Sequence, residues 1–238
     1  MHDPSKPLSG WTIAFDLDGT LVETAHDLVG ALNVILVEQG MAPAPMTAVR
    51  QLVGHGLRGM LIRAYAMADM TITEEQIAQL RPRIVEVYRA RIAQESRPFP
   101  GCLEALDALR ARGAALAVCT NKPEGLARLL LDELDMTRLF DAIVGGDTLP
   151  VQKPDPAPLL EAIARAGGDP AKAMLVGDAS PDVGAAKAAG VPCVICTFGY
   201  NDLPPAELGG DAVISHYDGL AQVAADIAAS CRTADESL

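Results

Sequence analysis

The chain has 238 residues, half of them hydrophobic and 21% charged, which supplies a full apolar core and excludes wholesale disorder. Its 31 acidic and 19 basic side chains leave a net charge of −12, which argues against nucleic acid or an anionic membrane as partner. A phosphorylated small molecule stays open, because one metal ion or lysine overrides the global field locally.

No run approaches the roughly 18 apolar residues of a membrane span, and Leu28–Val37, the densest stretch, is interrupted by Asn33. The segment Met1–Gly10 is polar, with no apolar signal core, so a cytoplasmic protein is expected. The sequence leaves monomer and homodimer equally open.

In chain order, short β-branched runs alternate with longer helical patterns. This predicts an α/β fold with a doubly wound parallel sheet of Rossmann-like type. The first strand is read at Trp11–Phe15. After it, only helical patterns follow: Ala25–Glu38, Gly56–Ala68 and Glu74–Gln94. Residues 24–96 are therefore expected to form an inserted all-helical subdomain, with 1–23 and 97–238 as the core. The exit, Arg97-Pro98-Phe99-Pro100-Gly101, has the composition of a linker.

Alternation then resumes. Strands are read at Ala115–Cys119, Ala142–Val144, Ala173–Val176, Val191–Thr197 and Ala212–Ile214. The intervening helices are Leu103–Arg112, Glu124–Leu134, Pro156–Ala166 and Val183–Ala189. Gly113, Gly167 and Gly190 fall where helices stop. Cys193-x-x-Cys196 spells a redox or zinc motif, but residues i and i+3 of a strand face opposite ways. The five cysteines are expected to be reduced thiols.

In open α/β sheets, ligands bind beyond the carboxyl ends of the strands. Those ends carry Asp16-Leu17-Asp18-Gly19-Thr20, then Thr120-Asn121-Lys122-Pro123, then Lys153-Pro154-Asp155-Pro156, and Gly177-Asp178-Ala179-Ser180-Pro181-Asp182. Asp16 and Asp18 are two apart and point the same way in extended backbone, so the pair must hold a cation, share a proton, or both. A hard cation such as Mg²⁺ takes carboxylate oxygens and leaves room for water and phosphate. Asp178 adds a further carboxylate. Lys153 suits a phosphoryl oxygen, and Thr120 with the amides after it can donate to others. Asp155-Pro156 and Ser180-Pro181 have the form of N-cap and first-turn pairs.

Taken together, these motifs resemble the haloacid dehalogenase-like superfamily of phosphohydrolases. Within it, Thr120-Asn121-Lys122-Pro123, Gly146-Asp147-Thr148, the Lys153-Pro154-Asp155-Pro156-Ala157-Pro158-Leu159 run and Phe198-Gly199-Tyr200 are similar to the phosphoglycolate phosphatase family. The helical insertion corresponds to that family's cap. The resemblance implies Asp16 as nucleophile, Asp18 as general acid and then base, and Thr120 and Lys153 as the remaining catalytic groups. It implies Mg²⁺ held by Asp16, the main-chain carbonyl of Asp18, and Asp178, with Asp182 in support. Gly19, Thr20 and Asn121 are expected to meet the substrate. Ala179, where many relatives carry Ser, and Glu23-Thr24, where many carry Asp-Ser, depart from the pattern without removing a catalytic group.

Gly54-His55-Gly56-Leu57-Arg58-Gly59 spells GxGxxG, but a dinucleotide site would need a preceding strand, and the context here is helical. As a cap loop, it would bring His55 or Arg58 to a substrate carboxylate; as a plain turn, it would leave Arg58 solvated. Ile77, Leu80, Ile84, Val87, Tyr88 and Ile92 recur at helical spacing and are expected in the core. The activity implied is hydrolysis of a small phosphomonoester, 2-phosphoglycolate first. Another sugar phosphate, pyrophosphate or a hexose-phosphate mutase on the same scaffold are the alternatives.

Overall fold

The protein is described from a computed structural model covering residues 6–53 and 56–235. In chain order, β1 (Thr12–Phe15) and β2 (Val22–Glu23) lead into four helices, α1 (Ala25–Glu38), α2 (Val49–Leu52), α3 (Gly56–Met67) and α4 (Glu74–Arg89). The chain returns through β3 (Arg97–Pro98) to α5 (Cys102–Ala111), β4 (Ala115–Cys119), α6 (Glu124–Glu133), β5 (Ala142–Val144) and α7 (Ala157–Arg165). It ends with β6 (Ala173–Gly177), α8 (Ser180–Ala189), β7 (Cys193–Cys196), α9 (Pro205–Leu208), β8 (Ala212–Ile214) and α10 (Leu220–Asp235).

Six strands form one parallel sheet in the order β5-β4-β1-β6-β7-β8. From β1 the chain builds outward through β4 to β5, then crosses to β6 on the other side. The crevice at that reversal is where an open α/β sheet receives ligands. The period-2 alternation divides the core between the two faces. Ile13, Phe15, Leu116, Val118 and Val176 pack into one layer, while Ala14, Ala117, Cys119, Leu175 and Ile195 pack into the other. Cys193 and Cys196 fall in opposite layers, and all five cysteines are free.

Between β2 and β3 the described chain is helical, so the core carries an inserted helical cap. Within it, α1 and α4 pack side by side, with Leu32, Ile35, Ile77 and Ile84 buried. Thr73 and Gln76 close a capping box that starts α4. No helix of the described residues is long and apolar enough to cross a membrane.

Most element boundaries shift by one to three residues from expectation, and three departures have an identifiable cause. The exit read as a linker contains β3, which pairs antiparallel with β2 through Val22 with Pro98 and Glu23 with Arg97. Two residues are too few for a period to register. Helix α4 stops at Arg89 rather than Gln94, because the chain turns to bring the N–H groups of Glu95 and Ser96 onto the buried Asp27 carboxylate at 2.9 and 2.8 Å. Helix α10 is not foreseen, since much of its inner face is alanine (Ala221, Ala224, Ala228), which gives little hydropathic contrast.

Candidate active site

Strand β1 ends at Phe15, so Asp16 emerges at the crevice with its N–H bonded to the Val176 carbonyl at 2.9 Å. Gly19 follows with φ +86°, a conformation that favours glycine. A Cβ there would lie 2.6 Å from Asp178 Oδ2, so a side chain is excluded on two grounds. Thr20 is fully buried and donates through Oγ1 to Asp178 Oδ1 at 2.7 Å. Both residues thus shape the position of Asp178.

Asp178 follows β6, with 1% of its surface exposed. Its second oxygen, Oδ2, accepts from the Tyr200 N–H at 2.6 Å. Asp182, in the first turn of α8, has both oxygens engaged. Oδ2 accepts from the N–H groups of Asp178 and Ala179 at 3.1 Å each, and Oδ1 accepts from Lys153 Nζ at 2.6 Å. Ala179 is the N-cap of α8 and Ser180 its first helical residue, so the capping expected of Ser180 belongs to Asp182. Asp155 does accept from Ala157 N at 2.9 Å, at the start of α7.

Lys153 is buried, and its ammonium spans the Cys119 carbonyl at 2.7 Å, Asp182 and, at 3.0 Å, Asp16 Oδ1. The loop that delivers it is clamped by Asn121, whose Oδ1 accepts from Lys153 N and whose Nδ2 donates to the Lys153 carbonyl, both at 3.0 Å. The Asn121 side chain is therefore given over to the main chain of Lys153, which precedes a cis proline. Thr120 is buried at the end of β4, with Oγ1 accepting from Lys122 N at 3.2 Å.

Burial pulls the Lys153 ammonium toward the neutral form, but Asp16 and Asp182 outweigh it and hold its pKa above the ordinary lysine value. Burial pushes Asp16 up to about 6; Lys153 opposes this, and Asp182 and Asp18 add to it. Asp178 is raised well above the usual carboxylate range by burial, then by Asp182 and Asp16.

Carboxylate oxygens of Asp16, Asp178 and Asp182 lie within 4.8 Å of one another. Asp16 Oδ1 is buried and makes no well-formed hydrogen bond, although Lys153 Nζ is near. A set of hard oxygen donors with a spare lone pair and raised carboxyl pKa values fits a divalent cation of the magnesium kind.

Asp18 is on the same loop, two residues from Asp16, and faces the cap. Lys122 Nζ donates to its Oδ1 and Oδ2 at 2.8 and 3.0 Å and to the Tyr88 hydroxyl of α4 at 2.7 Å. Lys122 and Tyr88 are the residues the sequence did not place at the site. Lys122 belongs to the Thr120-Asn121-Lys122-Pro123 motif, which gives it no role of its own, and the spacing of Tyr88 predicts a core residue. Tyr88 is 4% exposed, so that assignment holds for its ring, while its hydroxyl reaches the crevice. Arg58 lines the same cavity from α3 but is exposed and paired with Glu74. His55, the other cap candidate, lies outside the described residues.

Catalytic core and helical cap enclose a cavity of about 620 Å³, lined by Asp16, Asp18, Lys122 and Lys153 on one side and by Ile77 and Tyr88 on the other. A parallel α/β core with four acid- or lysine-bearing loops under an inserted helical cap defines a haloacid dehalogenase-like hydrolase, and the chain belongs to that family. The family model described as haloacid dehalogenase-like hydrolase matches residues 13–196.

Its relatives narrow the class further. A phosphoglycolate phosphatase of Caulobacter vibrioides is 45% identical over 97% of this chain and 96% of its own length. One of Agrobacterium fabrum is 47% identical over 91% of this chain and 92% of its own. A crystal structure described as a predicted phosphoglycolate phosphatase from Haemophilus somnus superposes with a TM-score of 0.82 at 31% identity, covering 91% of this chain and 98% of that one. The chain is accordingly a phosphoric monoester hydrolase.

Proposed function

We propose that this enzyme hydrolyses 2-phosphoglycolate to glycolate and inorganic phosphate, with Mg²⁺ as its cation, through a phosphorylated Asp16. The observation that carries the mechanism is the placement of Lys153, gripped by Asp182 and 3.0 Å from Asp16. That ammonium is fixed before substrate arrives, so it neutralises phosphoryl charge without reorganisation.

In the first step an Asp16 carboxylate oxygen attacks phosphorus, the bond to the ester oxygen breaks, and Asp18 gives its proton to the leaving alkoxide. In the second, Asp18 takes a proton from water. The hydroxide formed attacks the acyl phosphate at phosphorus, and the Asp16 carboxylate leaves. Thr120 and the amides after it donate to the phosphoryl oxygens. Gly19, Thr20 and Asn121 act one layer back, the first two by setting Asp178 and the last by setting Lys153. Held by Asp16, the Asp18 main-chain carbonyl and Asp178, with Asp182 behind, Mg²⁺ would offset the negative charge of phosphate and nucleophile. The cap, taken as residues 24–96, keeps bulk solvent from the acyl phosphate while the one attacking water is retained.

The substrate reading draws on the names of the Caulobacter and Agrobacterium relatives. A cavity of about 620 Å³ is larger than a two-carbon acid requires, which favours a sugar phosphate as the second reading. Phosphate release with Mg²⁺ and with chelator, from 2-phosphoglycolate and from a panel of sugar phosphates, nucleotides and pyrophosphate, separates them. Preference for 2-phosphoglycolate of about 100-fold in kcat/KM, about 2.7 kcal/mol, supports the first. Preference for another ester replaces the substrate and leaves the mechanism, and isomerisation without phosphate release makes the enzyme a mutase.

A further inference from the structure

We infer that Lys122, completed by the Tyr88 hydroxyl of the cap, is the subsite that receives the carboxylate of the leaving group. This rests on the reading of the substrate as 2-phosphoglycolate.

Phosphoryl chemistry at Asp16 already has a cation in Lys153. Lys122 is a second buried ammonium, paired with Asp18 as Lys153 is with Asp16, with 3% of its side chain exposed. It has no counterpart among the parts that phosphoryl transfer needs, and burying an ammonium is costly unless anions meet it. In this structure it has three partners for three protons: both Asp18 oxygens and Tyr88. Its Nζ stands 4.5 Å from the centroid of the Tyr88 ring, at the hydroxyl end, where the phenol oxygen accepts its hydrogen bond.

The position decides what kind of acid it reads. Asp18 must touch the ester oxygen to protonate it, and Lys122 touches Asp18. The ester oxygen therefore lies within two hydrogen bonds in series of Nζ, at most about 6 Å. In 2-phosphoglycolate the carboxylate follows that oxygen after a single methylene, with covalent bonds of about 1.5 Å. An acid group so close to the leaving oxygen falls between it and Lys122. A carboxylate several carbons further along would pass the ammonium and enter the apolar part of the cavity. Arg58 of the cap is exposed and paired with Glu74, whereas Lys122 is buried, and a ligand carboxylate takes over the proton that Lys122 now gives to one Asp18 oxygen, freeing that oxygen to carry the acid's proton.

Tyr88 belongs to α4, so the subsite is complete only with the cap against the core. Recognition of the carboxylate and closure over the phosphoryl group are then one event.

The test compares 2-phosphoglycolate with ethyl phosphate, which replaces the carboxylate by a methyl group, in the wild type, Lys122→Met and Tyr88→Phe. The quantity read is the ratio of the two kcat/KM values, which cancels any loss shared by both substrates. The wild type is expected to favour 2-phosphoglycolate by about 100-fold; Lys122→Met removes at least 30-fold of that preference and Tyr88→Phe removes 3- to 10-fold. If Lys122→Met and Tyr88→Phe lose activity equally on both esters and keep the wild-type ratio, Lys122 acts only through Asp18 and the inference falls, with the substrate reading intact. A wild type with no preference between the two esters overturns the substrate reading, and this inference with it. Should Lys122→Met fail to fold, the ratio in Tyr88→Phe decides alone.

Discussion

Tyr200 ties Asp178 to the start of the cap. Its N–H donates to the Asp178 carboxylate at 2.6 Å, and its hydroxyl accepts from the N–H groups of Thr24 and Ala25 at 2.7 and 2.8 Å. Thr24 is the N-cap of α1 but makes no side-chain capping bond, and the phenol of Tyr200 satisfies the first N–H groups of the helix instead.

Replacing Tyr200 with Phe removes the acceptor and leaves two N–H groups at a buried helix start without a partner. The cost expected is about 1–3 kcal/mol, and at about 2–4 °C per kcal/mol for a chain of this size Tm falls by several degrees. Thermal unfolding by circular dichroism measures it. An unchanged Tm would show that water or Thr24 satisfies these groups.

The cap's return strap makes the second prediction. Asp27 is fully buried; its Oδ2 accepts from Glu95 N, Ser96 N and Ser96 Oγ, and its Oδ1 is 3.5 Å from Arg91 Nε. Asp27→Ala strands those donors and leaves Arg91 without its buried counter-charge, so a loss of about 3–5 kcal/mol is expected from urea unfolding. Arg91→Met should cost less, since Asp27 keeps its three hydrogen bonds.

The acidic site gives stability a pH dependence of definite sign. Asp16, at about 6, and Asp178 hold their protons more tightly in the folded metal-free protein than in the unfolded chain. The native state then binds more protons than the unfolded one above the ordinary carboxylate range, and stability falls as pH rises through about 6. A divalent cation removes the cause. The rise in Tm produced by Mg²⁺ should therefore be larger at pH 8 than at pH 5, and scanning calorimetry at both pH values with chelator as control checks it. An equal or opposite change would mean that Lys153 alone compensates the carboxylates.

Thiol chemistry supplies a fourth. Burial pushes the Cys102 and Cys119 thiols up to about 12 and raises Cys193 and Cys196 as well, whereas Cys231 is only half-buried. Thiolates do the reacting, so a native alkylation experiment should label Cys231 and spare the other four. Labelling of Cys193 or Cys196 under native conditions would revive the redox reading of the C-x-x-C spacing.

Most of the sheet was legible because its signal is local. Ala115–Cys119, Ala142–Val144 and Ala212–Ile214 are strands over the residues the sequence indicated, and α1 spans Ala25–Glu38 as read. The order of the loops then placed Asp16, Thr120, Lys153 and Asp178 at one crevice, because strand ends in a parallel sheet share a side. What the sequence could not show are contacts across large separations. Lys122 meets Tyr88 over 34 residues and Tyr200 meets Thr24 over 176, and neither the core spacing of Tyr88 nor the motif containing Tyr200 names the partner. The side-chain partners of Thr20 and Asn121 were hidden for a related reason. Motif membership says that a residue is near the chemistry, while only the hydrogen bonds say whether it faces substrate or a neighbouring catalytic side chain.

The proposed mechanism requires a phosphorylated Asp16. The direct measurement is acid quench of the enzyme turning over 2-phosphoglycolate labelled in its phosphoryl group, followed by peptide mapping. Label is expected on the peptide containing Asp16, sensitive to hydroxylamine as an acyl phosphate is, and absent from Asp16→Asn. Asp18→Asn, which lacks the base for the second step, should turn over at least 100-fold more slowly. Full turnover by Asp16→Asn, or turnover with no label trapped on the wild type at any quench time, would contradict it.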